Sequence, residues 1–190
     1  FVVKNVYSAL KTRQFNFKNT LFKIGGVASI AFFFFHFNWG INYFRQPLFK
    51  KLNIEQTKYT SSELIGLTKK LIAKTNQIQQ LITKNDTIIA SNPQSKKAIK
   101  NSALVAYQQL ESSYPQLKLE TNSVKHSIFS LPLTYMGFAG YLNPITNEAQ
   151  VNSLIPKNSY PATVCHELAH QVGIASESEA NFVGYLAAIN

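Results

Sequence analysis

The stretch 160–187, YPATVCHELAHQVGIASESEANFVGYLA, decides how this chain is read, because two helical patterns meet there around one glycine. Pro161 suits a first helical turn. Val164, Leu168 and Val172 recur every four residues, and Gly173 suits a left-handed cap at the end. Beyond the turn, Ser176 and Glu179 have the Ser-x-x-Glu spacing of a capping box that opens a last helix, ESEANFVGYLAAIN. Such a turn folds the second helix back against the first.

The first of these helices carries His166-Glu167-Leu168-Ala169-His170. Residues four apart share a helix face, so both histidines can offer an imidazole nitrogen to one metal ion. Glu167 lies one residue round from His166, within reach of a metal-bound water. Zinc lowers the pKa of that water towards about 7, so a neighbouring carboxylate can take its proton. The spacing therefore predicts Zn2+ on His166 and His170, with Glu167 as general base. Catalytic zinc needs a third protein ligand and one open position. The nearest acids are Glu177 and Glu179; Glu177 is preferred, with Glu179 as the alternative. Asn181, one turn after Glu177, can support the site from behind. In the metzincin pattern HExxHxxGxxH, Gly173 fits, but position 176 is serine, so that reading fails at its third ligand. Tyr160 and Tyr185 are the nearest candidates for an oxyanion donor. Cys165, about 100° round the helix from His166, reads as a small buried apolar side chain. As the lone cysteine it forms no intrachain disulfide and no thiolate zinc ribbon.

Upstream, residues 118–156 mix aromatic and β-branched residues with Pro, Gly and Asn. This composition predicts strands at 124–131, 135–142 and 148–155, the last two joined by the turn NPITN at 143–147. The third strand is expected at a sheet edge, where it could pair with an extended peptide. Two amphipathic helices precede the sheet. One spans 61–82, capped by Ser61 or Ser62, with Leu64, Leu67, Leu71, Ile78 and Leu81 on one face. The other spans 93–113, with Ala98, Ile99, Ala103, Ala106, Tyr107 and Leu110 facing inward. Their lysines, Lys69, Lys70, Lys74, Lys96, Lys97 and Lys100, read as a solvated outer face.

Residues 24–37, IGGVASIAFFFFHF, extend with their apolar flanks to about 23 residues, and a helix needs about 20 to cross hydrocarbon. Lys18 and Lys23 precede the run; Arg45, Lys50 and Lys51 follow it; Trp39, Tyr43 and Phe44 sit where an aromatic belt lies. The run is too long for a signal peptide and ends in WGINYFRQP rather than in small residues. His36 reads as sitting near an interface or bonding a neighbouring carbonyl, rather than as a ligand or proton relay. Residues 1–10 read as the tail of an earlier membrane helix. The net charge is +10, yet the eight basic residues before Glu55 meet no acid, while the rest of the chain carries 11 basic and 9 acidic residues. An excess that flanks an apolar run points to a membrane, not to nucleic acid. The slight bias towards the N-terminal flank places that flank in the cytoplasm. A third reading, an intramembrane protease with the motif inside the bilayer, is disfavoured by Lys157, Asn158, Gln171, Glu177, Glu179 and Asn181, too polar for a spanning helix.

Three segments carry a resemblance. Residues 177–181, ESEAN, are similar to the Glu-x-x-Ala-Asp/Asn element of the gluzincin metallopeptidases, in which a glutamate on a second helix completes the site. The seven-residue step from His170 to Glu177 is shorter than in that group. WGINYFRQPL at 39–48, GYLNPITNEAQVN at 140–152 and the stretch 160–187 together resemble an uncharacterised bacterial family of membrane-anchored, zinc-peptidase-like proteins. That resemblance implies a metal site, further membrane helices before Phe1 and more sequence after Asn190, but no reaction.

The expectation is an α+β, zincin-like protein. A transmembrane segment with basic flanks covers 1–45 and a linker covers 46–60. A metallopeptidase domain covers 61–190, built from helices, a small antiparallel sheet, the HExxH helix and a following glutamate helix. It is expected in a bacterial inner membrane, with the metal site on the extracytoplasmic side, in contact with lipid and with a peptide or protein substrate. The rival is a zinc-binding sensor or scaffold that cuts nothing and binds a partner through helices 61–82 and 93–113.

Overall fold

A computed structural model of the chain describes Tyr7, residues 17–55 and residues 57–189. The helix tail expected at 1–10, Tyr7 apart, lies outside the described residues. The first long element is helix α1, Phe17–Asn38, in which no residue is buried. Among the described residues it is the one helix long and apolar enough to cross a membrane. A 3-10 turn, Gly40–Phe44, and a short helix α2, Leu48–Lys51, follow it.

Residues 46–52 do not run as a free linker. Leu48 is buried in the core, and its backbone N–H donates to Glu179 Oε1 at 2.7 Å. Helix α3, Ser61–Thr83, stands apart from that core with no buried residue. Its cap is Thr60, not Ser61 or Ser62. The Thr60 hydroxyl accepts from the Glu63 N–H, and the Glu63 carboxylate accepts from the Thr60 N–H. Helix α4, Lys96–Ser113, starts later than the periodicity suggests because Ser95 caps it. It buries Ile99, Ala103, Tyr107 and Leu110. Its lysines are not all solvated: Lys96 and Lys100 donate to the carbonyls of Ser153 and Val124.

The sheet differs from the expected one in strand length and direction. Strands β1 (Val124–His126), β2 (Gly140–Leu142) and β3 (Ala149–Val151) lie in the order β1-β3-β2, with β1 parallel and β2 antiparallel to β3. The sheet is mixed, and β3 is its centre rather than an edge. The hairpin at 143–147 forms as expected, with the Asn143 side chain accepting from the Ile145 N–H. Between β1 and β2 the chain forms a helix, α5, Ser130–Met136, where strand was expected. Aromatic and β-branched residues suggested strand, but local turn chemistry won. Ser127 Oγ accepts from the Phe129 N–H, Ser130 Oγ donates to the Ser127 carbonyl, and Gly137 ends the helix at φ +77.

Helices α6 (Tyr160–Gln171) and α7 (Glu177–Ile189) complete the fold. They pack on α4 and β3 through Val164, Leu168, Val183 and Ala187, all wholly buried. The result is a mostly helical protein with one apolar N-terminal helix and a small mixed sheet.

Candidate metal centre

Helix α6 ends as its sequence predicts. Gly173 takes φ +96, its N–H donates to the His170 carbonyl at 2.8 Å, and the Ile174 N–H reaches back to the Ala169 carbonyl at 3.3 Å. This turn does more than stop the helix. It aims the Ile174 carbonyl at His170 Nδ1, 2.7 Å away. It also reverses the chain, so that α7 lies against α6. Gly184 lets the helices come close: a Cβ there would lie 3.0 Å from the His166 backbone nitrogen. That approach brings Asn181 Oδ1 to 2.9 Å from His166 Nδ1. The capping box expected from Ser176 and Glu179 does not form. Ser176 Oγ bonds Ser178 Oγ, and Glu179 is drawn away to the Leu48 N–H. Glu179 therefore braces residues 46–52 and does not face the histidines.

Glu177 does face them. Its carboxylate oxygens lie 3.2 Å from His166 Nε2 and 3.5 Å from His170 Nε2, and the two Nε2 atoms are 3.1 Å apart. A carbonyl oxygen can only accept, so His170 carries its proton on Nδ1, and the same assignment follows for His166 beside Asn181 Oδ1. In the neutral rings both Nε2 lone pairs then point at one another and at a carboxylate. Such a cluster repels itself unless a proton or a cation sits between the three groups. Zinc–ligand bonds of 2.0–2.1 Å at tetrahedral angles place ligand atoms about 3.3 Å apart, and the three separations here bracket that value. The donor set, its spacing and the hydrogen bonds behind each ring fit a divalent metal ion.

Glu167 stands beside these groups, 4% exposed, with Oε2 lacking any hydrogen-bond partner. Burial, reinforced by the Glu177 charge, pushes its carboxyl up to about 8. Gly140 on β2 makes room for it: a Cβ there would lie 2.5 Å from Glu167 Oε1 and 2.9 Å from the Gln150 carbonyl. His166 is lowered below the ordinary histidine value by burial and by His170, against the pull of Glu177.

All four residues line one cleft of about 780 Å³. Asn181 and β2 also line it, and so do Phe35, Trp39 and Tyr43 from the end of α1. The Trp39 ring meets the His170 ring edge to face at 6.0 Å. Arg45 holds this segment in place by donating to the carbonyls of Val172 and Gly173 at 3.0 and 3.1 Å. Gly140, Gly184, Trp39 and Arg45 were not expected at the site. Nothing local in WGINYFRQPL or GYLNPITNEAQVN ties either segment to the histidines, and only folding brings them together at the cleft.

The remaining candidates lie elsewhere. Tyr160 is wholly buried with an unpartnered hydroxyl, and neither it nor Tyr185 lines the cleft. Cys165 is buried, which pushes its thiol up to about 11, and its carbonyl accepts from the Tyr107 hydroxyl at 2.6 Å. His36 Nδ1 bonds the Phe32 carbonyl at 3.1 Å, as expected.

Residues 1–190 match the family model described as a protein of unknown function, DUF3810, and the chain belongs to that family. No curated protein and no solved structure matches it.

Proposed function

With membership of that family as the premise, we propose that the chain is a zinc-dependent, zincin-like metallopeptidase anchored in a membrane by α1. The single observation that carries this reading is the convergence of His166 Nε2, His170 Nε2 and a Glu177 carboxylate oxygen, the three ligand atoms lying within 4.8 Å of one another beside an unpartnered, buried Glu167. His166, His170 and Glu177 hold the ion. Bound there, zinc supplies a Lewis acid that polarises a carbonyl and acidifies water. Glu167 takes a proton from the attacking water and returns it to the departing amine as the C–N bond breaks. The strand that pairs with substrate is β2 rather than 148–155, because β2 is a sheet edge and lines the cleft while β3 is paired on both sides. Helix α1 is the anchor, and the domain lies on the outer face of a bacterial inner membrane.

The test is cleavage of an unfolded protein by the zinc-loaded full chain in detergent. Cleavage is expected for the parent and lost in Glu167→Gln. Cleavage that survives that change contradicts Glu167 as the base.

A second reading is supported by α3. It is capped at both ends, buries nothing and exposes Leu64, Leu67, Leu71 and Ile78 along one side. A zinc-binding scaffold that cuts nothing would use this face to hold a partner. It predicts bound metal without turnover.

A further inference from the structure

Two segments of the chain lack Lys, Arg, Asp and Glu over long runs: residues 24–44, which end α1, and residues 127–147, which contain α5 and β2. They are far apart in sequence, yet both line the same cleft. Phe35, Trp39 and Tyr43 come from the first; Met136, Phe138 and Leu142 come from the second. The inner side of α5 is pinned to the sheet. Ser130 Oγ accepts from the Ser153 N–H at 2.9 Å, and the buried Asn152 amide donates to Thr134 Oγ1 and to the Phe138 carbonyl. Its outer side is apolar and open: Ile128, Leu131 and Tyr135 are 88, 60 and 85% exposed, and Phe129, Met136 and Phe138 are exposed beside them.

An apolar surface of this kind needs a cover, and its continuity with α1 says which. The segment that follows α1 is fixed to the turn after α6 by Arg45 and to α7 by the Leu48–Glu179 bond. A bilayer crossed by α1 therefore meets the domain at Trp39, in the interfacial layer that Trp and Tyr favour. Met136, Phe138 and Leu142 of the charge-free segment line the same cleft as Trp39.

We propose that the outer side of residues 127–138 lies in the interfacial layer of the bilayer that α1 crosses, so that the cleft opens onto the membrane surface. Its substrates are membrane-anchored polypeptides, cut within the few residues next to their anchor. A free soluble peptide meets a mouth closed by lipid, whereas an anchored one is delivered at high effective concentration. The substrate class rests on the metallopeptidase reading above; the placement of the rim does not.

Trp39 is the only tryptophan, which makes the placement measurable. The full chain is reconstituted in phosphatidylcholine–phosphatidylglycerol vesicles carrying acyl-chain bromines. The variants are the parent, and Tyr135→Trp and Leu131→Trp, each in a Trp39→Phe background. All three are expected to be quenched by brominated lipid and shielded from aqueous acrylamide. Rim tryptophans that acrylamide reaches and lipid does not would overturn the proposal, even with Trp39 quenched. A second measurement compares one unfolded peptide free in solution, joined directly to a membrane anchor, and joined through a long Gly/Ser linker. The directly anchored form is expected to be cut about tenfold faster than either of the others. Equal rates overturn the substrate class and leave the metallopeptidase reading standing. Quenched rim tryptophans with no form cut overturn the metallopeptidase reading and uphold the membrane placement.

Discussion

Helices α1 and α6 each carry a histidine whose Nδ1 bonds a backbone carbonyl, and the two histidines differ in what surrounds the other nitrogen. His36 points its ring among Phe32 and Phe35, with centroids 4.0 and 5.4 Å away. His170 presents Nε2 to a second imidazole at 3.1 Å and a carboxylate at 3.5 Å. The local bond is the same; convergence is what makes a ligand. Convergence on α6 depends on the i, i+4 spacing, on a turn that reverses the chain within five residues, and on a glycine that lets the next helix approach.

The sharpest way to break this contrast is to remove one imidazole at a time. His166→Ala and His170→Ala are each expected to weaken zinc binding more than about 100-fold, measured by chelator competition, since even loss of a supporting contact costs 10–100-fold. His36→Ala is expected to leave zinc affinity unchanged. Equal effects at all three positions would erase the distinction. Glu167→Gln sharpens it from the other side: peptide cleavage falls about 1,000-fold while zinc content holds.

The two glutamates of α7 divide in the same manner. Glu177→Gln is expected to lower zinc affinity without changing the melting temperature. Glu179→Gln is expected to keep zinc and to cost about 1 kcal/mol of stability, because it weakens the tie to the Leu48 N–H. Gly140→Ala should hold metal but lose cleavage, since the added carbon occupies the place of the Glu167 carboxylate.

The smallest expected effect concerns alkali. Burial pushes the Tyr160 phenol up to about 12 and raises Tyr107 further. Both folded-state pKa values lie above the unfolded value near 10, so their contribution to stability is complete below pH 10 and is lost as the pH climbs beyond it. The Tyr160 hydroxyl also lacks a partner, so Tyr160→Phe should slightly raise the midpoint of urea unfolding at neutral pH and flatten its fall between pH 10 and 12.

The helix pair was legible because its signals are local. Pro161, the His166/His170 spacing, the Gly173 cap and the nearby Glu177 all lie within 17 consecutive residues. The capping box at Ser176 was misread because a distant N–H, that of Leu48, competed for Glu179. Residues 130–136 were misread as strand because Ser127, Ser130 and Gly137 outweighed the propensities of Phe129, Leu131 and Tyr135. The wall of the cleft was illegible for a different reason. Trp39 and Gly140 reach His170 and Glu167 across more than 25 intervening residues, and no periodicity reports such a meeting.

Metal binding and peptide cleavage both require that His166, His170 and Glu177 share one ion. The direct measurement is metal content and zinc K-edge X-ray absorption of the purified full chain, set beside a His166→Ala/His170→Ala variant. The parent is predicted to hold about one zinc per chain with two nitrogen ligands near 2.0 Å, and the variant none. A parent without metal, or a variant that retains it, would contradict the site.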